Sequence, residues 1–187
     1  MMLEDSEIIE LFFSRSERAI SEAREKYGAA CLAISRNILG NSLDAEECVS
    51  DALLALWNAI PPEKPEPLRA YLFRIVRNIS ISKYHSNTAG KRNSFYDVAL
   101  DELEDCLAGT GTVEQEITAR ELSTLIDRFL ETLDEDSRML FVRRYWYSDS
   151  VKDLAEHLGI TENNLSVRLS RLRTKLRKYL QKEGYKV

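Results

Sequence analysis

The chain has 187 residues and a formal net charge of −5, with 44% hydrophobic and 30% charged side chains. That composition supplies apolar material for one or two packed cores. It contains seven Gly and only four Pro, at Pro61, Pro62, Pro65 and Pro67, which excludes a loop-rich β-sandwich, a disulfide mini-protein and a collagen-like segment. The chain reads as all-α.

No apolar stretch approaches the ~18 residues that span a bilayer. The acidic start Met1–Glu7 is not followed by the apolar run of a secretory signal, so a cytoplasmic location is expected. Cys31, Cys48 and Cys106 form no CxxC, and His85 and His157 have no ligand-like spacing. They read as packed or half-exposed side chains in a reducing compartment, with no metal or cofactor expected. There is no Gly-rich phosphate loop, GxSxG or HExxH. Neither a catalytic centre nor a small-molecule substrate is expected.

In chain order, residues 16–39 are helical in composition, with Gly40 as a C-terminal stop. Asp44-Ala45-Glu46-Glu47 predicts a capping box opening the next helix. That helix sets Val49, Ala52, Leu53, Leu56 and Trp57 on one stripe and ends at Pro61-Pro62. Trp57 reads as core from its stripe position. A third helix should start near Pro67 and run to about His85, with Leu68, Tyr71, Leu72, Ile75 and Ile79 inward. Periodicity then fails from Ser86 to about Gly111, so 89–112 reads as a flexible acidic linker between a first domain at 1–88 and a second at 113–187. In the second domain Ile117, Leu122, Leu125, Ile126, Phe129, Leu130 and Leu133 are buried candidates. A helix over roughly Glu135–Trp146 adds Met139, Leu140, Val142 and Tyr145.

Charge alternates along this order. Residues 69–92 hold six basic side chains and no acidic one, 93–136 hold 13 acidic and two basic, and 162–187 hold eight basic and two acidic. Two cationic blocks separated by an anionic one suit two nucleic-acid contacts on a tether. Solvated faces are the alternative.

The most informative stretch is Asp149–Lys178. Val151, Leu154, Ala155 and Leu158 make a short apolar stripe, Gly159 can turn at positive φ, and Thr161 can cap a longer helix with Leu165, Leu169, Leu172, Leu176 and Leu180 inward. This is the plan of a helix-turn-helix, with small Ala155 where the two helices cross. The outward side presents Asn163, Asn164, Ser166, Arg168, Ser170, Arg171, Arg173 and Lys175, residue types that suit a major groove. A basic amphipathic helix on a membrane or partner is the competing reading.

Gly159-Ile160-Thr161 with Leu165 through Arg173 resembles the region-four domain of bacterial RNA polymerase sigma factors of the sigma-70 family, extracytoplasmic-function (ECF) group. Asp44–Val49 through Leu53–Trp57 resembles the polymerase-binding helix of region two, and Leu68–Asn78 resembles the promoter-melting helix that follows. The resemblance implies a dissociable subunit that directs core RNA polymerase to promoter DNA and assists −10 melting. In region two it implies −10 contacts from Arg74, Arg77, Asn78, Lys83, Tyr84, His85, Asn87, Lys91 and Arg92. A flipped base would sit in the loop at about Ser86–Asn93, with Tyr84 either stacking on it or closing the core. In region four it implies −35 duplex reading by the outward residues above, and docking on the β flap. Glu46, Glu47, Ser50, Asp51, Leu54 and Asn58 are implied contacts with the β′ clamp helices. An anti-sigma factor is an implied further partner. The acidic linker either threads the polymerase channel or acts as a solubilising tether.

This chain departs from the family pattern at Ser80–His85, where Arg is more usual, at Ser166, where Lys is common, and at Glu162. Tyr145-Trp146-Tyr147 is unusually aromatic and reads as core and helix end, with a partner-facing patch as the alternative. Two competing functions are a helix-turn-helix regulator that binds DNA without polymerase and a non-DNA interaction protein. The stripe at 49–57 and the first basic block argue against the regulator.

Overall fold

The computed structural model describes residues 3–87, 95–107 and 119–185. Among these are nine α-helices and no strand, so the chain is all-α, in two units: Met1–Phe95 and Tyr96–Val187. The first contains α1 (Asp5–Phe13), α2 (Arg18–Leu39), α3 (Ser42–Ala59) and α4 (Leu68–Asn87).

α2, α3 and α4 pack against one another, and α1 rests on α2 and α4. The acidic start, which carries no helix in the sequence reading, forms α1. Ile8, Ile9 and Phe12 go inward, and a reciprocal capping box between Glu4 and Glu7 holds its N-terminus. Lys26 Nζ donates to Asp5 at 2.8 Å, and the Tyr27 hydroxyl also donates to that carboxylate. Burial works against ionisation of Asp5, but these donors outweigh it and hold the carboxyl below its usual range. Gly40 stops α2 at φ +67, as expected.

The start of α3 differs from expectation. Its cap is Asn41, whose side chain accepts from the Leu43 N–H at 2.9 Å, so the helix begins one turn before the predicted box. Asp44 therefore lies inside the first turn and does not cap. Val49, Ala52, Leu53 and Leu56 are buried as predicted. Trp57 is only half-buried, tilted against Phe12 at 6.1 Å with the Arg15 guanidinium 5.2 Å from its ring centroid.

α4 is rolled relative to expectation. Leu68, Leu72, Phe73, Val76 and Ser80 are buried, whereas Tyr71, Ile75 and Ile79 are half-buried flanks. Ser80 can occupy the core because its hydroxyl bonds to that of Ser35 on α2 at 2.8 Å. Cys31 and Cys48 are buried beside this cluster, and burial pushes the Cys31 thiol up to about 12. They behave as packing groups.

The second unit contains α5 (Phe95–Leu107, which starts on the last residue of the first unit), α6 (Ala119–Glu131), α7 (Glu135–Phe141), α8 (Val151–Leu158) and α9 (Glu162–Lys182). α5 is the largest departure, because a regular helix occupies most of the segment read as linker. Ala99 joins the second core, and Leu103 packs against it. Val113, Ile117 and the Gly109–Gly111 hinge lie outside the described residues. Leu125, Phe129 and Leu133 are buried as predicted, with Leu122, Ile126 and Leu130 flanking them. The helix expected over Glu135–Trp146 starts on its Asp134 cap but changes at Val142 into a single π-helical turn ending at Trp146. That turn buries Arg144 and Tyr145 and leaves Trp146 exposed.

α8 is capped by Ser150, and Gly159 closes it at φ +63. Thr161 then accepts from the Asn164 N–H at 3.2 Å to open α9. Leu165, Leu169, Leu172, Leu176 and Leu180 are all buried, so the helix-turn-helix stands as predicted.

The cap assignment has a direct check. Asn41→Ala should cost the first unit about 1 kcal/mol, read as a shift of its urea midpoint without a change in slope. Asp44→Ala should not reproduce a loss of N-cap energy at Leu43, read as unchanged hydrogen exchange of that amide.

Candidate nucleic-acid interface

α9 is rolled by its leucine stripe, which fixes what faces out. Asn163, Asn164, Ser166, Arg168, Ser170, Arg171 and Lys175 are all exposed. At about 100° per residue they separate into two flanks. Asn164, Arg168, Arg171 and Lys175 share one, with Asn163 and Ser170 nearer the crest. On that side a cleft of about 340 Å³ lies against α7, with Arg168, Arg171 and Lys175 on one wall and Asp134 and Asp136 on the other. The Ser137 N–H bonded to Asp134 is the main reason that this carboxyl titrates below its usual range, and Lys175 adds to it.

Arg173 stands apart from the other predicted readers. It lies beside the leucine stripe, only partly exposed, and its Nη1 donates to Glu102 of α5 at 3.0 Å and to the Tyr145 hydroxyl at 2.7 Å. The same carboxylate accepts from Arg144 at 2.7 Å and from the Tyr145 hydroxyl at 3.0 Å. Arg144 is 1% exposed and also donates to the Asp149 carbonyl at 2.8 Å. Burial is the main cause of the upward shift of the Tyr145 phenol, so it stays protonated and acts as a donor to Glu102.

In the first unit, Arg74, Asn78, His85 and Asn87 are exposed, and Arg77, Lys83 and Tyr84 are half-buried. The Arg74 guanidinium lies 5.3 Å from the Tyr71 ring. Tyr84 meets His85 edge-on at 5.8 Å. Lys83 is paired with Glu47, and more distantly with Asp44 at 3.7 Å. Hydrogen bonding to Glu47 is the main cause of its raised pKa. Asn87 reaches Asp44 at 3.3 Å. Lys91, Arg92 and most of the loop at about Ser86–Asn93 lie outside the described residues.

On α3 all six predicted partner residues, Glu46, Glu47, Ser50, Asp51, Leu54 and Asn58, are exposed. Ser50 accepts from Arg24 at 3.2 Å. Leu43, 77% exposed, extends the same stripe as Leu54, 56% exposed. Sequence reasoning missed Leu43, although its i, i+4, i+7, i+11 spacing to Glu47, Ser50 and Leu54 was available. It also missed Asp44 as a tie to α4, and Glu102 and Arg144, whose partners are remote in sequence. Among the described residues no His/Cys/Asp/Glu cluster could hold a metal ion, and no helix is long and apolar enough to cross a membrane.

Two stretches of the chain match one known family. Residues 24–89 match Sigma-70 region 2, and residues 123–176 match Sigma-70, region 4. The chain is 26% identical to the RNA polymerase sigma factor CnrH of Cupriavidus metallidurans over 180 residues, 92% of each chain. It is also 26% identical to the ECF RNA polymerase sigma factor SigL of Mycobacterium tuberculosis over 167 residues, 86% of this chain and 88% of SigL. A solved structure of CnrH in complex with the cytosolic domain of CnrY aligns over 95% of this chain and 97% of that one, at 23% identity and a TM-score of 0.44.

With two regions of one family matched in order, the chain belongs to the sigma-70 family of RNA polymerase sigma factors, in its extracytoplasmic-function group. It directs RNA polymerase in transcription initiation, and this reading stands over that of a regulator acting without polymerase.

Burial sorts the two ion pairs at these surfaces by cost. Arg144→Ala should destabilise the second unit by about 1.5–3 kcal/mol, because it removes a buried guanidinium bonded to Glu102 and to the Asp149 carbonyl, while Glu102 keeps Arg173 and Tyr145 as partners. Glu47→Gln, at a 61% exposed carboxylate, should change the first unit by less than ~1 kcal/mol. Urea unfolding followed separately for each unit measures both.

Proposed function

We propose that the stripe Leu43, Glu47, Ser50, Leu54 and Asn58 on α3, flanked by Glu46 and Asp51, is the core-polymerase contact, on the β′ clamp helices. Two exposed leucines framed by hydrogen-bonding side chains support it, since such a face combines apolar area with orientation. α4 follows as the −10 element contact, with Arg74, Arg77, Asn78, Tyr84, His85 and Asn87 on the surfaces the DNA strand would meet, and with Lys83 once it exchanges Glu47 for phosphate. Lys91 and Arg92 complete this block as proposed phosphate contacts.

In the second unit α9 reads the −35 duplex through Asn163, Asn164, Ser166, Arg168, Ser170, Arg171 and Lys175, and region four docks on the β flap. The observation that carries this reading is the exposed polar and cationic face of α9 directly after the Gly159 turn, held there by five buried leucines. By family resemblance the chain acts in the cytoplasm, performs no bond-making step itself, and has an anti-sigma factor that competes for the polymerase-binding faces.

Run-off transcription from the chain's own upstream region should require both the chain and core polymerase. A compact DNA footprint from the chain alone, with no effect of polymerase, would overturn the reading. Leu54→Glu should weaken binding to core polymerase at least ten-fold while leaving the circular dichroism spectrum unchanged, because a charge replaces exposed apolar area at the contact. Arg171→Ala should reduce the salt slope of −35 binding by about 0.9, the value of one phosphate contact.

A further inference from the structure

We infer that Glu102, on the helix α5 that precedes region four, is a positioning residue for the recognition helix, acting through Arg173 and Tyr145. The inference rests on the reading of α9 as the −35 element helix. It extends the DNA-reading domain to a segment outside the matched region, which begins at residue 123.

Three observations carry it. First, one carboxylate gathers three partners: Arg144 at 2.7 Å, the Tyr145 hydroxyl at 3.0 Å and Arg173 at 3.0 Å. Arg144 is 1% exposed, so without Glu102 a buried guanidinium would lose its counter-charge. The carboxylate is therefore held in place by more than its bond to α9. Second, Arg173 bonds simultaneously to Glu102 and Tyr145. Two acceptors on two different elements fix the guanidinium in direction as well as distance. Third, Arg173 sits on the flank of α9 beside the leucine stripe, whereas Arg168, Arg171 and Lys175 lie on the opposite flank, along the cleft with α7.

The leucine stripe sets the gross roll of α9, but apolar packing is non-directional and leaves a few degrees free. Arg173 lies eleven residues beyond the first residue of α9, about 16 Å along its axis at ~1.5 Å per residue. Tying Arg173 therefore steadies the lever that carries Asn163, Asn164, Arg168 and Arg171 to base edges. Base contacts demand this alignment, because bidentate hydrogen bonds fail at small angular errors. Phosphate contacts tolerate misalignment.

The test uses the full chain bound to core polymerase. The probes are a duplex enriched by that holoenzyme from a randomised pool and a shuffled copy of it. Arg173→Gln should lower discrimination between the two about five-fold and leave the salt slope unchanged. Glu102→Gln should do the same, and the double variant should show no further loss because both act through one contact. Arg173→Lys, which keeps a donor to Glu102, should recover part of the discrimination. All are measured at a temperature where circular dichroism shows the variants folded. If Glu102→Gln fails to fold, Arg173→Gln alone decides, since it leaves the Glu102–Arg144 pair in place.

Discrimination that Arg173→Gln leaves intact in a folded protein would overturn the inference, as a merely stabilising contact would behave that way. A salt slope lowered by about 0.9 in Arg173→Gln, or raised in Glu102→Gln, would also overturn it, by making Arg173 a phosphate contact that Glu102 masks. A parent holoenzyme that cannot tell the enriched duplex from its shuffle would overturn the −35 reading as well.

Discussion

The crossing of α8 and α9 is the constraint on which the candidate interface depends. Ala155 is 2% exposed at this junction, Gly159 turns the chain at φ +63, and Leu165, Leu169, Leu172, Leu176 and Leu180 are buried along one side of α9. Each buried leucine contributes roughly 1.5–3 kcal/mol, so the stripe outweighs any single surface ion pair by an order of magnitude. α9 cannot roll its polar side away from solvent without exposing that stripe. The identity of the outward residues follows from the apolar ones, and electrostatics acts only within the freedom that packing leaves.

The first unit uses the opposite division. Its core of α2, α3 and α4 is closed on the inward side of α3, yet the outward side keeps two leucines in solvent. A helix with apolar residues on both sides is stable only because Val49, Ala52, Leu53 and Leu56 are buried on one of them. The exposed pair leaves more than half of each residue's surface in solvent, and that is the basis of the proposed partner face. Lys83 connects that face to α4 through Glu47 and Asp44. Exposed pairs of this kind exchange partners at little cost, so under the proposed assignment a polymerase contact at Glu47 would release Lys83 for a strand contact.

What was legible in the sequence was what short-range periodicity encodes. The α9 leucines, the α8 stripe, the Gly40 and Gly159 stops and the Thr161 cap all follow from residues within a few positions of one another. Reading failed where the stabilising partner is remote or disguises the pattern. Among the described side chains of α5, Ala99 is the apolar one fully buried, and the acidic run resembles a linker. Its principal anchor, Glu102, answers to Arg144 and Tyr145, more than forty positions on, and to Arg173, 71 positions on. The roll of α4 was obscured because Ser80, polar by type, becomes a core residue once Ser35 satisfies its hydroxyl. Asn41 was overlooked as a cap because Asp44 and Glu47 offered a stronger local signature. The same two carboxylates turned out to serve α4.

Charge completes the case for a subunit that relies on a larger enzyme. Residues 1–95 carry 13 acidic and 12 basic side chains, and residues 96–187 carry 18 acidic and 14 basic, so each unit is net anionic despite its cationic block. A polyanion is not drawn to such a body from a distance; attraction is confined to the faces where cations are segregated. On α9 even that segregation is incomplete, since Asp134 and Asp136 face Arg168, Arg171 and Lys175 across the cleft. On the proposed assignment, affinity for DNA would then come mostly from a partner that supplies further contacts, and these faces would contribute the choice of sequence. The arrangement of charge is compatible with that division of labour, which suits a sigma factor within its polymerase.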